Sequence, residues 1–126
     1  MLLVDSSAWI IAGLRPEVLR GLSDESLAVC PPVMQEVLRG SQHQKAFRET
    51  RLMFLHLVIL DAPTPLERYE QAAQLYIECR DAGVTPRNSF DCLIAATAMA
   101  HDATVLHRDA DFDHMARVLP LKAQRI

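Results

Sequence analysis

Apolar residues cluster in three short runs with almost no polar alternation: Met1-Leu2-Leu3-Val4, Leu27-Ala28-Val29-Cys30 and Ala103-Thr104-Val105-Leu106. Such runs read as strands buried on both faces, the habit of parallel sheets. Leu57–Leu60 predicts a further short strand and Val118-Leu119 an edge strand. Between them the spacing changes to that of helices. Ser6 or Ser7 caps a helix over Ala8-Trp9-Ile10-Ile11, closed at Gly13. Pro16–Leu22 supplies a helical turn or two. A helix begins at Pro32, turns Val33, Met34, Val37 and Leu38 inward and stops at Gly40. Gln42–His56 forms a longer helix with Ala46, Phe47, Phe54 and Leu55 apolar. Thr64-Pro65-Leu66-Glu67 has the capping-box pattern and opens a helix whose inner face is Leu66, Tyr69, Ala73 and Ile77, ending near Gly83. Asn88 or Ser89 caps a helix from Phe90 to His101. That helix is apolar nearly all round, so it lies on the sheet and is covered on its other side. Strands alternating with helices predict one α/β domain over residues 1–126, a short central parallel sheet flanked by helices, with the Met1 run at its centre.

Composition narrows the class. Half of the 126 residues are hydrophobic and 23% are charged, a globular balance. The longest apolar stretch, Cys92–Ala100 with Thr97 inside it, is far short of the ~20 residues a membrane span needs. The opening lacks a basic segment and meets Asp5 early, so a secretory signal is not expected. Cys30, Cys79 and Cys92 are odd in number and fit no C-x-x-C spacing, which points to a reduced, cytoplasmic setting. A net charge of −3 argues against a protein that coats nucleic acid. Of the 13 basic residues, however, eleven are Arg, whose forked donors suit phosphate. Lys45, Arg48 and Arg51 make a basic stripe that is either a solvated face or a track for RNA or an acidic partner.

The acids carry the chemistry. Asp5 follows the first strand, Glu36 lies one turn into the helix after the second, Asp91 opens the apolar helix, and Asp109 and Asp111 follow the Ala103 strand. In a right-handed parallel sheet these positions share the C-terminal edge of the strands, where ligands bind. Taken singly, each acid could merely favour a helix dipole, a contribution of ~0.3–1 kcal/mol; together they describe an acidic pocket. Oxygen ligands without Cys or His suit Mg2+ or Mn2+ rather than zinc. Asp109-x-Asp111-x-Asp113 begins like an EF-hand loop, but His114 and Pro120 stand where that loop needs Gly and Glu. Ser6 and Ser7 lie in no G-x-S-x-G elbow. Metal-assisted phosphoester hydrolysis is the chemistry left.

Val4-Asp5-Ser6-Ser7-Ala8-Trp9-Ile10, Gln35-Glu36-Val37, Phe90-Asp91-Cys92-Leu93-Ile94-Ala95-Ala96 and Arg108-Asp109-Ala110-Asp111-Phe112 together resemble the PIN-domain ribonucleases, specifically the VapC-type toxins of toxin–antitoxin pairs. The resemblance spans essentially the whole chain and implies a PIN-like fold. It implies Asp5, Glu36, Asp91 and Asp109 as catalytic acids, and Asp5, Asp91, Asp109 and Asp111 as ligands of Mg2+, with Mn2+ an alternative. Ser7 matches a small polar position near the metal. The activity implied is cleavage of RNA, of transfer RNA or another structured RNA, which inhibits translation and growth. The partners implied are a VapB-type antitoxin that covers the site and a second copy in a homodimer, with Trp9, Leu14, Met34, Leu38, Phe54 and Leu55 as candidate contacts. One position departs: His107 stands where the family usually has Thr or Ser, and reads as a neutral imidazole hydrogen-bonded at the strand end.

Rival readings are less well served. A receiver domain needs paired acids after its first strand, and Asp5 has no acidic neighbour. An Asp-x-Asp phosphatase needs an acid where Ser7 stands. A catalytically silent binding module on the same fold would be favoured by loss of an acid, and all four are present.

Overall fold

A computed structural model describes residues 1–126. Five parallel strands form one sheet in the order β3-β2-β1-β4-β5. They are β1 (Leu2–Val4), β2 (Leu27–Val29), β3 (Val58–Ile59), β4 (Thr104–His107) and β5 (Ala123–Arg125). The first strand is central, in register with β2 through Leu2↔Leu27 and with β4 through Leu2↔Thr104. All three residues of β1 and of β2 are buried, as expected for strands covered on both faces.

Seven helices connect and cover the strands: α1 (Ser6–Ile11), α2 (Pro16–Arg20), α3 (Pro31–Arg39), α4 (Gln44–Leu55), α5 (Leu66–Asp81), α6 (Ser89–Ala100) and α7 (Ala110–Val118). The apolar helix α6 is buried continuously from Asp91 to Ala98. It lies between the sheet and α5, its most extensive partner. Gly13 (φ 64°) and Gly83 (φ 82°) take the left-handed conformation just past α1 and α5. There the amide of Leu14 donates to the Trp9 carbonyl and that of Val84 to the Cys79 carbonyl, closing both helix ends. Cys30, Cys79 and Cys92 are buried free thiols. No helix is long and apolar enough to cross a membrane.

Several expectations are corrected. The cap of α1 is Asp5, not a serine: its carboxylate accepts from the Ser7 amide. At α5 the N-cap is Pro65 without a side-chain cap, and the Thr64 hydroxyl donates instead to the Asp61 carbonyl. The inner face of α5 is Arg68, Ala72, Leu75 and Cys79, while Leu66, Tyr69, Ala73 and Ile77 are exposed. Two apolar stripes competed for this interface. The one with small residues lets α5 approach α6, and Arg68 is buried because Asp61 meets it at 2.6 Å, with exposed His101 on the other carboxylate oxygen at 2.8 Å. Val118 ends α7 instead of forming a strand. Phe112, Met115 and Leu119 recur at helical spacing and are buried, and the edge strand is the more polar Ala123–Arg125.

Candidate active site

The sheet's parallel sense puts the ends of β1, β2 and β4 on one edge, and each delivers an acid. Asp5 follows β1 and doubles as the N-cap of α1. Both the amide (3.1 Å) and the hydroxyl of Ser7 donate to its Oδ2. The same hydroxyl accepts from the Arg108 amide at 2.9 Å, tying the end of β1 to the end of β4. Glu36, one turn into α3, receives the Ser6 hydroxyl on Oε2 at 2.5 Å and the Asn88 amide on Oε1 at 3.5 Å. Asp109 follows β4 and caps α7, its Oδ1 accepting from the Asp111 amide at 2.9 Å. Asp91 is in the first turn of α6, whose N-cap is Asn88. For Asp5 and Asp109, helix-terminal placement and site placement are therefore one arrangement: each carboxylate caps the helix that follows it.

Asp91, Asp109 and Asp111 each offer a carboxylate oxygen within 4.8 Å of the others. Asp91 is 5% exposed, and its Oδ2 is buried without a hydrogen-bond partner. Burial, followed by the charges of Asp5, Asp109, Asp111 and Glu36, pushes its pKa up to about 8. Burial also raises that of Asp5, against the opposing hydrogen bonds from Ser7, and Glu36 adds to the rise. A buried carboxylate oxygen with no donor, surrounded by further carboxylates, is a group short of positive charge. The all-oxygen donor set fits a hard divalent cation.

His107 is fully buried at the end of β4 and packs against the Phe112 ring at 5.3 Å. Its Nδ1 accepts from the Asp109 amide at 3.2 Å, so Nε2 carries the proton, 3.4 Å from an Asp113 carboxylate oxygen. Burial lowers its pKa, which favours the neutral ring. His107 thus supports Asp109 from behind.

Sequence reasoning missed Arg87. Its Nε reaches both Asp111 oxygens at 3.3 and 3.2 Å, its backbone amide donates to Oδ2 of Asp111 at 3.3 Å, and its Nη2 reaches Asp109 at 3.4 Å. The only signal was its position in the turn before α6, which brings it to the acid-bearing edge. Ser6 and Asn88, the partners of Glu36, escaped notice as site residues because Ser6 reaches Glu36 only when α1 packs on α3, and Asn88 only when α3 meets α6.

Fold and site define a class. A family model described as the PIN domain matches residues 2–118. VapC ribonuclease Mb1587 of Mycobacterium bovis and ribonuclease VapC11 of Mycobacterium tuberculosis are each 38% identical, over 98% of this chain and 97% of theirs. A chain of VapBC2 from Rickettsia felis, solved with a promoter DNA fragment, superposes with a TM-score of 0.75 at 18% identity, covering 99% of this chain and 98% of that one. DNA-bound VapBC from Salmonella typhimurium gives 0.75 at 16% identity, over 98% and 96%. The chain belongs to the PIN-domain family, on its VapC branch.

Proposed function

We propose that this protein is a metal-dependent endoribonuclease, the toxin of a VapBC-type toxin–antitoxin pair, which hydrolyses RNA phosphodiester bonds and so arrests translation and growth. The observation that carries the reading is the partnerless, buried carboxylate oxygen of Asp91 among Asp109 and Asp111. Asp5, Asp91, Asp109 and Asp111 would hold Mg2+ or Mn2+, with Asp5, Glu36, Asp91 and Asp109 as the catalytic acids. A cation bound there polarises a phosphate and lowers the pKa of an attacking water. Ser7 fixes the orientation of Asp5, and Ser6 fixes that of Glu36, leaving Glu36 to orient the water. Structured RNA, transfer RNA included, is the substrate class; such RNA is selected by shape and loop contacts rather than by a local motif. The site is at work in the cytoplasm, where that RNA is found.

A VapB-type antitoxin covers the site, and a second copy completes a homodimer. Trp9 and Phe54 are removed from the candidate contacts, because both are fully buried and pack edge to face at 5.5 Å. Leu55 is exposed, and Ile10, Ile11, Phe47 and Leu52 join it as large exposed apolar side chains on α1 and α4.

Asp5→Asn and Asp91→Asn test the catalytic assignment. Asn caps a helix as well as Asp does, so α1 keeps its start in the first variant. Under inducible expression, with cleaved RNA ends sequenced, both folded proteins are expected to yield no cleavage and no growth arrest. A folded Asp5→Asn protein that cleaves at near the native rate would overturn the assignment.

A further inference from the structure

Arg87 lies against the two acids that the cation reading also claims, and its own geometry separates two kinds of hold. The backbone amide holds Asp111 from the turn between buried Pro86 and the α6 cap residue Asn88. The guanidinium grips Asp111 and Asp109 from a side chain that is 75% exposed. The two holds are separate, so the amide would keep Asp111 oriented if the guanidinium swung outward. A cation shared by Asp91, Asp109 and Asp111 would draw on carboxylates that Arg87 already holds, since Nε engages both Asp111 oxygens and Nη2 engages one of the two Asp109 oxygens. Both cannot be served in full.

We infer that Arg87 is a built-in cation for the acid site. It competes with the metal for Asp109 and Asp111, and once displaced it becomes the anchor for an RNA phosphate next to the one being cleaved. The inference rests on the metal-site reading above. The side chain suits both tasks, because a guanidinium forks equally well onto a carboxylate or a phosphate. An acidic pocket repels a polyanion, so a cation held at its rim and released only when the metal has arrived makes RNA binding conditional on a loaded site. Arg39 is the natural control. It lines a hollow of about 200 Å³ beside the site with Gln35, Glu36, Asn88 and Phe90, and it makes no hydrogen bond to Asp109 or Asp111.

Two titrations test this. Calorimetry with Mn2+ alone, on wild type, Arg87→Gln and Arg39→Gln, reads competition directly. A guanidinium in place nine-tenths of the time weakens apparent metal binding about tenfold, so Arg87→Gln is expected to bind Mn2+ about tenfold tighter. Arg39→Gln should stay within about twofold of wild type, because it removes the same charge without the contact. Fluorescence anisotropy with a labelled, phosphorothioate-linked RNA 12-mer reads the second task. With Mn2+ present, Arg87→Gln should lose about tenfold in RNA affinity, the size of one charge-assisted contact, and with chelator the loss should be smaller. Mn2+ binding to Arg87→Gln that is equal to or weaker than wild type would make Arg87 a mere orienter of Asp111 and overturn the inference. An equal gain in Arg39→Gln, or equal RNA losses with and without metal, would overturn it too. Failure of the wild type to bind Mn2+ at all would instead sink the metal site itself, and this inference with it.

Discussion

A carboxylic acid at Asp91 has been moved into a place where ionisation is unfavourable. Its side chain is buried, one oxygen has no donor, and four other acids contribute repulsion. Without a cation the folded protein therefore keeps a proton there up to about pH 8, whereas the unfolded chain releases it near the ordinary value of 3.8. The native state binds the extra proton, so this contribution to stability is complete below about pH 4 and is lost as pH rises through about 8. Its slope cannot exceed about 1.4 kcal/mol per pH unit for one proton. Chelated wild type is expected to lose stability between pH 5 and pH 8 relative to Asp91→Asn, with the variant the more stable at the upper end. Paired thermal melts across that range measure the difference, in which groups not coupled to Asp91 cancel. A gap that stays constant with pH would show that Asp91 does not hold the proton.

At the scale of elements, the junction from β4 to α7 is held by a neutral histidine. His107 accepts the Asp109 amide and fills space against Phe112. A threonine hydroxyl can also accept that amide, but it leaves a void where the ring was. His107→Thr is expected to keep RNA cleavage within about an order of magnitude, with metal preference unchanged, while stability falls by about 2 kcal/mol from the lost packing. Cleavage lost together with a changed metal preference, in a folded variant, would show that the imidazole is a ligand. At α5, the choice between the Leu66/Tyr69/Ile77 stripe and the Ala72/Leu75/Cys79 stripe was decided by what α6 presents to it. Periodicity identified a helix there but could not rank two apolar faces.

At the scale of the molecule, acids from residue 5 to residue 111 come to one edge of the sheet because all five strands run in the same direction. The fold thereby concentrates repulsion that a cation relieves. A ligand that binds only the native state stabilises it by about 2.7 kcal/mol at a hundred times its dissociation constant. Excess Mg2+ or Mn2+ is expected to raise the melting temperature of wild type, and chelator to remove the gain. Asp91→Asn should respond much less, so the cation narrows or reverses the advantage the variant holds without it. If the cation moves neither protein, the acids do not share a metal.

Much of this was legible from the chain alone. Unalternated apolar runs at Leu2–Val4, Leu27–Val29 and Val105–Leu106 read as strands covered on both sides, and their alternation with helices predicted a parallel sheet with the first strand central. Asp5, Glu36, Asp91, Asp109 and Asp111 each stand beside a predicted strand or helix end, so local pattern and topology together were enough to place them on one edge. Tertiary structure decided the rest. Which stripe of α5 turns inward, the burial of Arg68 against Asp61 and the grip of Arg87 on Asp109 and Asp111 all join residues distant in sequence or depend on a neighbouring surface. Local spacing carries no record of such partners, because their energies exist only once the sheet has brought the helices together.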